Sequence, residues 1–237
     1  MNKENFVNEV KKIGIELTEE QIKKLVIYCD FLLKQNEVVN LTAIKDEEGV
    51  YLKHFYDSLT VAKELIDTDG KSLLDVGTGA GFPGMVLKIL FPTLKVSLLD
   101  ANNKKITFLQ QLAEMLEIKD ITFIHQRAEE HFAIVGSSYD YVVARAVANL
   151  SVLAELCMPL VTQGGYFISM KGQLEEEIEN GTYAITELGG NIENISTFSL
   201  PIENSTRNII KIKKEKETPS QYPRRYDKIV KNPLKKR

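Results

Sequence analysis

The sequence predicts a doubly wound α/β fold, a seven-stranded and mostly parallel sheet with helices on both faces, behind an N-terminal cap of helices. Three observations lead there. Beyond Asp69-Gly70, short apolar runs of strand character alternate with stretches of helical periodicity, as repeated βα units require. One run, Leu73-Leu74-Asp75-Val76, passes into Gly77-Thr78-Gly79-Ala80-Gly81-Phe82-Pro83-Gly84, a strand entering a glycine-rich turn and then a helix. The last two runs are joined across Leu200-Pro201 to Arg207 with no room for a helical crossover, so that pair should be antiparallel.

The elements follow in order. Residues 1–68 read as the helical cap: Phe6, Val10 and Ile13 share a face, and Thr18 with Gln21 forms a capping pattern before Ile22, Leu25, Val26, Cys29, Leu32 and Leu33. A third helix, about Glu47 to Ile66, carries an apolar stripe of Leu52, Phe55, Leu59, Ala62 and Ile66, with His54, Asp57 and Ser58 on another face. Residues 69–213 form the main domain, with strands at Ser72–Val76, Lys95–Leu99, Ile121–His125, Tyr141–Ala144, Tyr166–Met170, Ile192–Phe198 and Asn208–Lys213. Residues 214–237 form a basic tail.

Composition sets outer limits. The 237 residues, 43% hydrophobic and 27% charged, suit a globular protein of one sizeable domain. Cys29 and Cys157 sit far apart in apolar helical patterns, which fits buried thiols in a reducing, cytoplasmic compartment. No run approaches the ~18 apolar residues of a membrane span, and the start lacks a signal-peptide core. Net charge is −3 but unevenly placed: residues 211–237 hold 11 Lys/Arg against 3 Asp/Glu, the remainder 19 against 30. Such an end, with Tyr222, Arg224, Arg225 and Tyr226, can neutralise phosphates and stack on bases, or can be a solvated terminus offsetting an acidic body. A monomer is the default expectation.

The chemistry concentrates at the glycine-rich turn. A carboxylate at Asp75, just before the glycines, favours the cationic end of S-adenosyl-L-methionine and would repel the pyrophosphate of a dinucleotide. Asp100 ends the next strand, where an acid accepts hydrogen bonds from ribose hydroxyls. Past the third strand, Arg127-Ala128-Glu129-Glu130 can bring a backbone amide and a carboxylate to an adenine, or be an exposed charged turn. These readings make the sheet that of a Rossmann-like class I methyltransferase. After the fourth strand, Val143 to Asn149 takes the position facing the donor methyl, and Arg145 can hold an acceptor or close an ion pair at the strand end.

The same stretch lacks an Asn/Asp-Pro-Pro-Tyr motif and a nucleophilic Pro-Cys or Thr-Cys pair. A site without an evident general base suits an acceptor with a free lone pair, such as a purine N7. His54, Asp57 and Ser58 lie within one helical turn and lack a Gly-x-Ser-x-Gly elbow, which excludes a hydrolase reading. No metal site is expected.

Across essentially its whole length the chain resembles the RsmG (GidB) family of bacterial 16S ribosomal RNA guanine-N7 methyltransferases. The resemblance rests on Asn40-Leu41-Thr42, His54-Phe55-Tyr56-Asp57-Ser58-Leu59, the Asp75 to Gly84 loop, Leu99-Asp100 with Lys104-Lys105, Arg127-Ala128-Glu129, Ala144-Arg145-Ala146-Val147-Ala148, Lys171-Gly172 and Tyr222-Pro223-Arg224-Arg225. It implies methylation at N7 of one guanine in the decoding-region loop of 16S rRNA, on naked RNA or on a small ribosomal subunit or assembly intermediate. It also implies donor contacts at Gly77, Phe82, Asp100, Ala128, Glu129 and Arg145, to which the residue-level reading adds Asp75 and Gly79. RNA contacts are expected at Lys104, Lys105, Lys171, Arg224 and Arg225. The chain departs from the family where Tyr226 to Asn232 replaces a Gly/Pro-rich basic stretch.

Overall fold

Every expected strand forms in the computed structural model, which describes residues 1–145 and 148–236. Ala146 and Val147, in the segment expected to face the donor methyl, and Arg237 lie outside the described residues. The strands are β1 (Ser72–Val76), β2 (Lys95–Asp100), β3 (Ile121–His125), β4 (Tyr139–Arg145), β5 (Val161–Lys171), β6 (Gly190–Ser199) and β7 (Thr206–Lys214). They lie in the order β3-β2-β1-β4-β5-β7-β6. The first five are parallel, and β7 runs antiparallel to both β5 and β6, which is the expected closing hairpin. Strand order reverses between β1 and β4, so a ligand crevice belongs outside their carboxyl ends.

Helices α5 (Gly84–Leu90), α6 (Asn103–Met115), α7 (Ala128–Val135), α8 (Leu150–Cys157) and α9 (Ile178–Glu187) follow strands β1 to β5 in turn. Successive strand residues point to opposite faces. Leu73, Val96 and Leu98 therefore join Met85, Phe108 and Leu109 in one core, while Leu74, Val76 and Leu99 join Leu153, Cys157, Ala184 and Ile185 in the other.

The N-terminal helices α1 (Lys3–Lys12) and α2 (Glu19–Val39) contribute to the first of these cores: Phe6, Tyr28 and Leu32 pack in one cluster with Leu73 and Val96. Thr18 and Gln21 form the expected capping box. The Gln21 amide also donates to the carbonyls of Ile89 (3.1 Å) and Leu90 (3.0 Å), tying the start of α2 to the free carbonyls at the end of α5.

The third helix departs from expectation. It is α-helical only as α3 (Glu47–Gly49) and α4 (Asp57–Thr60), with a π-helical stretch at Val50–Tyr56 between them and a 3₁₀ turn at Val61–Glu64 after them. The expected division into an apolar stripe and a polar face also fails. His54, Asp57 and Ser58 are as buried as Leu52 and Phe55, whereas Ile66 is 57% exposed. A helix enclosed on all sides follows its packing rather than a surface period. Here Tyr51 packs on Phe6 (5.1 Å between ring centroids) and Phe55 on Tyr28 (5.2 Å).

The basic tail is folded onto the domain. The buried Lys214 ammonium donates to the carbonyls of Met158 (2.8 Å) and Leu188 (3.2 Å). Arg224 donates through Nε (2.8 Å) and Nη2 (2.6 Å) to the carboxylate of Glu155, a fully buried side chain of α8. A last helix, α10 (Tyr226–Lys231), then places Ile229 in the second core. Arg224→Ala should lower stability by about 3 kcal/mol in urea unfolding, because it takes the guanidinium from a fully buried carboxylate and leaves it the backbone amide of residue 224 (2.9 Å). A loss under about 0.5 kcal/mol would reduce the pair to an ordinary surface contact.

Candidate active site

The glycine loop closes the carboxyl end of β1. Gly77, Gly79 and Gly81 adopt φ of 69°, 61° and 102°, a region that side chains other than glycine rarely enter. The amides of Gly77 (2.8 Å) and Thr78 (3.0 Å) both donate to the Leu99 carbonyl, anchoring the turn to β2. The Tyr28 hydroxyl donates to the Ala80 carbonyl, so α2 holds the loop from its other side.

Asp75 lies beneath this loop, fully buried, and does not line the neighbouring cavity. Its Oδ2 accepts from Thr78 Oγ1 (2.7 Å) and from the Gly84 amide (2.8 Å), which starts α5. Its Oδ1 has no partner among the described residues. Burial pushes the carboxyl up to about 6, against the opposing pull of those two bonds and of Arg145. A Cβ at Gly84 would come within 2.8 Å of Asp75 Cβ and Oδ2, so glycine is what lets the helix start this close.

Asp100, also buried, holds the far wall. Its Oδ2 accepts from the Gly79 amide (3.0 Å) and its Oδ1 from the Asn102 amide (2.8 Å), leaving each oxygen a lone pair. Lys105 lies 3.7 Å away, and Lys104 is exposed beside it. Beyond the end of β3, the strand beside β2, Ala128 is the first residue of α7, and Glu129 has a buried Oε2 with no partner among the described residues. An unpartnered acceptor near an N-terminal amide and a ribose-compatible acid fits the adenosine part of the expected donor.

On the other side of the loop lies a cavity of about 480 Å³, bordered by Gly77, Gly79, Phe82, Arg145, Lys171 and Arg207. Arg145 donates through Nη1 to the Lys53 carbonyl (2.8 Å) and to Asp57 (3.2 Å), and through Nη2 to His54 Nδ1 (2.9 Å). Its guanidinium also sits 5.1 Å from the centre of the Phe82 ring. Arg207, which sequence reasoning missed, reaches the second oxygen of Asp57 at 3.2 Å. The π-helical stretch and α4 thus bring His54 and Asp57, separated from Arg145 by about ninety residues, to the end of β4.

His54 stacks on Phe82 with 4.2 Å between ring centroids, and its Nε2 meets Thr42 Oγ1 at 2.8 Å. Burial, seconded by Arg145, drives the imidazole down to about 3. Ser58 is buried, and its hydroxyl has no hydrogen-bond partner among the described residues.

The remaining expected site residues lie further out. Lys171 is turned inward, onto the Ala148 carbonyl (2.7 Å) and Glu177 (2.8 Å). Arg224 is held by Glu155 as described, whereas the side chain of Arg225 is 85% exposed. Arg127 lies 4.4 Å from the Tyr226 ring, linking the start of α7 to the docked tail.

The two displaced titrations act on stability in opposite directions. His54, held below its ordinary value, supports the fold fully above about pH 6.5, and that support is lost as pH falls toward 3. Asp75, held above its ordinary value, supports the fold below about pH 4, and that support is lost as pH rises through 6. Between about pH 7.5 and 4.5, His54→Gln should therefore lose less stability than the wild type, by on the order of 2 kcal/mol in urea unfolding. Equal losses would mean that His54 titrates alike in the folded and unfolded chains.

Comparison with known proteins gives this arrangement a family. The family model described as rRNA small subunit methyltransferase G matches residues 21–210. A ribosomal RNA small subunit methyltransferase G from Bacillus cytotoxicus is 50% identical over the full length of both chains, and one from Bacillus cereus is also 50% identical over the full length of both. Among solved structures, a SAM-dependent O-methyltransferase from Thermotoga maritima superimposes with a TM-score of 0.55 at 16% identity, over 79% of this chain and 73% of its own. That likeness concerns the fold, a Rossmann-like α/β sheet. With its sequence matched from end to end and its glycine loop, Asp100 and Arg145 at the carboxyl ends of three neighbouring strands, the chain belongs to the rRNA small subunit methyltransferase G family.

Proposed function

We propose that the chain transfers a methyl group from S-adenosyl-L-methionine to N7 of a guanine in the decoding-region loop of 16S rRNA. The observation that carries the choice of acceptor atom is that, among the described residues, the imidazole and the carboxylate bordering the cavity are both already engaged, the carboxylate as an ion pair with two arginines. Both nitrogens of His54 are engaged, by Arg145 and Thr42, and both oxygens of Asp57 are engaged, by Arg145 and Arg207. The donor supplies a methyl group on a cationic sulfur, and a ring nitrogen that accepts it with its own lone pair has no proton to lose. Alignment of the two partners then provides most of the rate.

Residues of the chain divide that task. Asp100 would accept from the ribose, with Ala128 and Glu129 at the adenine, while the backbone of Gly77 and Gly79 and the ring of Phe82 line the methyl-bearing end. Asp75 acts from beneath the loop, fixing its shape and adding negative charge on the side of the sulfonium. Arg145, packed on Phe82, positions the acceptor.

The substrate is 16S rRNA, alone or within a small ribosomal subunit or assembly intermediate, met by a monomer in the cytoplasm. Lys104, Lys105 and Arg225 supply accessible positive charge to its phosphates. Lys171 and Arg224 contribute by holding the loop after β4 and the tail in place, since their charged groups are engaged within the protein. No helix among the described residues is long and apolar enough to cross a membrane.

Transfer of a labelled methyl group to small subunits lacking the modification should yield 7-methylguanosine after digestion. Label in another nucleoside would redirect the proposal to that acceptor. Asp75→Ala should abolish donor binding in calorimetry, and unchanged affinity would move the donor site away from this loop.

A further inference from the structure

The hydrogen bonds around Thr42 leave its hydroxyl a single role. Arginine only donates, so the Arg145 contact makes His54 Nδ1 an acceptor, and the neutral imidazole carries its proton on Nε2. This tautomer, assigned from its partners, donates to Thr42 Oγ1 at 2.8 Å, and the Ile44 amide donates to the same oxygen at 3.2 Å. A hydroxyl oxygen has two lone pairs, and both are taken. The remaining proton can only be given away. No acceptor for it occurs among the described residues, and Thr42 borders the cavity.

The backbone of Thr42 is also fixed. Asn36, a buried side chain of α2, accepts from the Thr42 amide (2.9 Å) and donates to the carbonyls of Thr42 (2.9 Å) and Ile44 (3.2 Å). Asn40, with a φ of 52°, ends α2 and turns the chain into this loop. The donor is therefore held from both sides before any substrate arrives.

We propose that the Thr42 hydroxyl reads O6 of the target guanine, as an obligate donor oriented through the chain Arg145, His54, Thr42. The inference rests on the guanine-N7 reading above. If N7 keeps its lone pair for the methyl group, O6 is the other acceptor on the same edge of the base. Adenine carries an amino group at that position, so two donors would face each other and both would stay unpaired. A site built around one fixed hydrogen bond rejects a base lacking the matching atom far more strongly than a site defined by shape. Thr42 is then a specificity residue, and Arg145 and His54 position it.

The test compares single-turnover methylation of small subunits reconstituted with guanine or with 2-aminopurine, which lacks O6, at the target position. The wild type should be slowed about 10- to 100-fold by loss of O6. Thr42→Val should be slowed by a similar factor on guanine and not further on 2-aminopurine, whereas Thr42→Ser should keep the discrimination. A mere distortion of the loop would instead slow Thr42→Val equally on both substrates, and that result overturns the proposal. So does a wild type indifferent to O6, a comparison that stands even if Thr42→Val fails to fold. A wild-type product other than 7-methylguanosine would overturn the guanine-N7 reading and this inference together, and it is seen before any variant is compared.

Discussion

The site depends first on a buried carboxylate beneath a turn of glycines. Asp75 Oδ2 binds the Thr78 hydroxyl and the Gly84 amide at once, so one oxygen joins the end of β1, the middle of the loop and the first turn of α5. Everything on the two sides of the crevice is placed relative to that loop: Gly79 reaches Asp100 on one side, and Phe82 supports His54 and Arg145 on the other. The arrangement is costly, because burial raises the carboxyl and leaves Oδ1 without a partner among the described residues. Proteins retain such costs chiefly where a rigid local shape or charge is needed.

A second constraint comes from charge sharing. Asp57 lies between two guanidiniums, Arg145 at the end of β4 and Arg207 at the start of β7, and thereby fastens the helical segment of residues 47–64 to two strands at the same end of the sheet. These charges offset one another in a cavity whose surface is more apolar than polar, and among the described residues its imidazole and its carboxylate are both already engaged. Positioning and hydrogen-bond direction are what it can supply.

Much of this was legible in the sequence, for identifiable reasons. Strands and the closing hairpin could be read because alternation and loop length constrain them locally, and the glycine loop with Asp100 because the spacing of a strand, turn and strand end is itself the chemistry. What could not be read is what the topology brings together from afar. Arg207 lies in an ordinary-looking hairpin strand, 150 residues from Asp57. Glu155 and Arg224, 69 residues apart, appear separately as a polar residue in a helix and one charge of a basic tail. A buried acid in an apolar helix such as α8 was the available signal, because it demands a cation from somewhere. The third helix misled for a different reason: a stripe at regular spacing presupposes one solvent-facing side, and between Val50 and Ala62 every residue except Lys53 is buried.

The change of pitch in that segment has a bearing on how the family can vary. Between Val50 and Tyr56 the backbone is wound more loosely than in the turns on either side, as if one more residue were accommodated than an α-helix would hold. Removing a single residue there would allow regular winding, but would rotate everything before it by about 100° relative to Asp57. His54 would then leave Phe82, Arg145 and Thr42 while Asp57 kept its arginines. Relatives should therefore exchange residue types along residues 50–57 more readily than they change the number of residues, and insertions or deletions should gather in the surface loops instead.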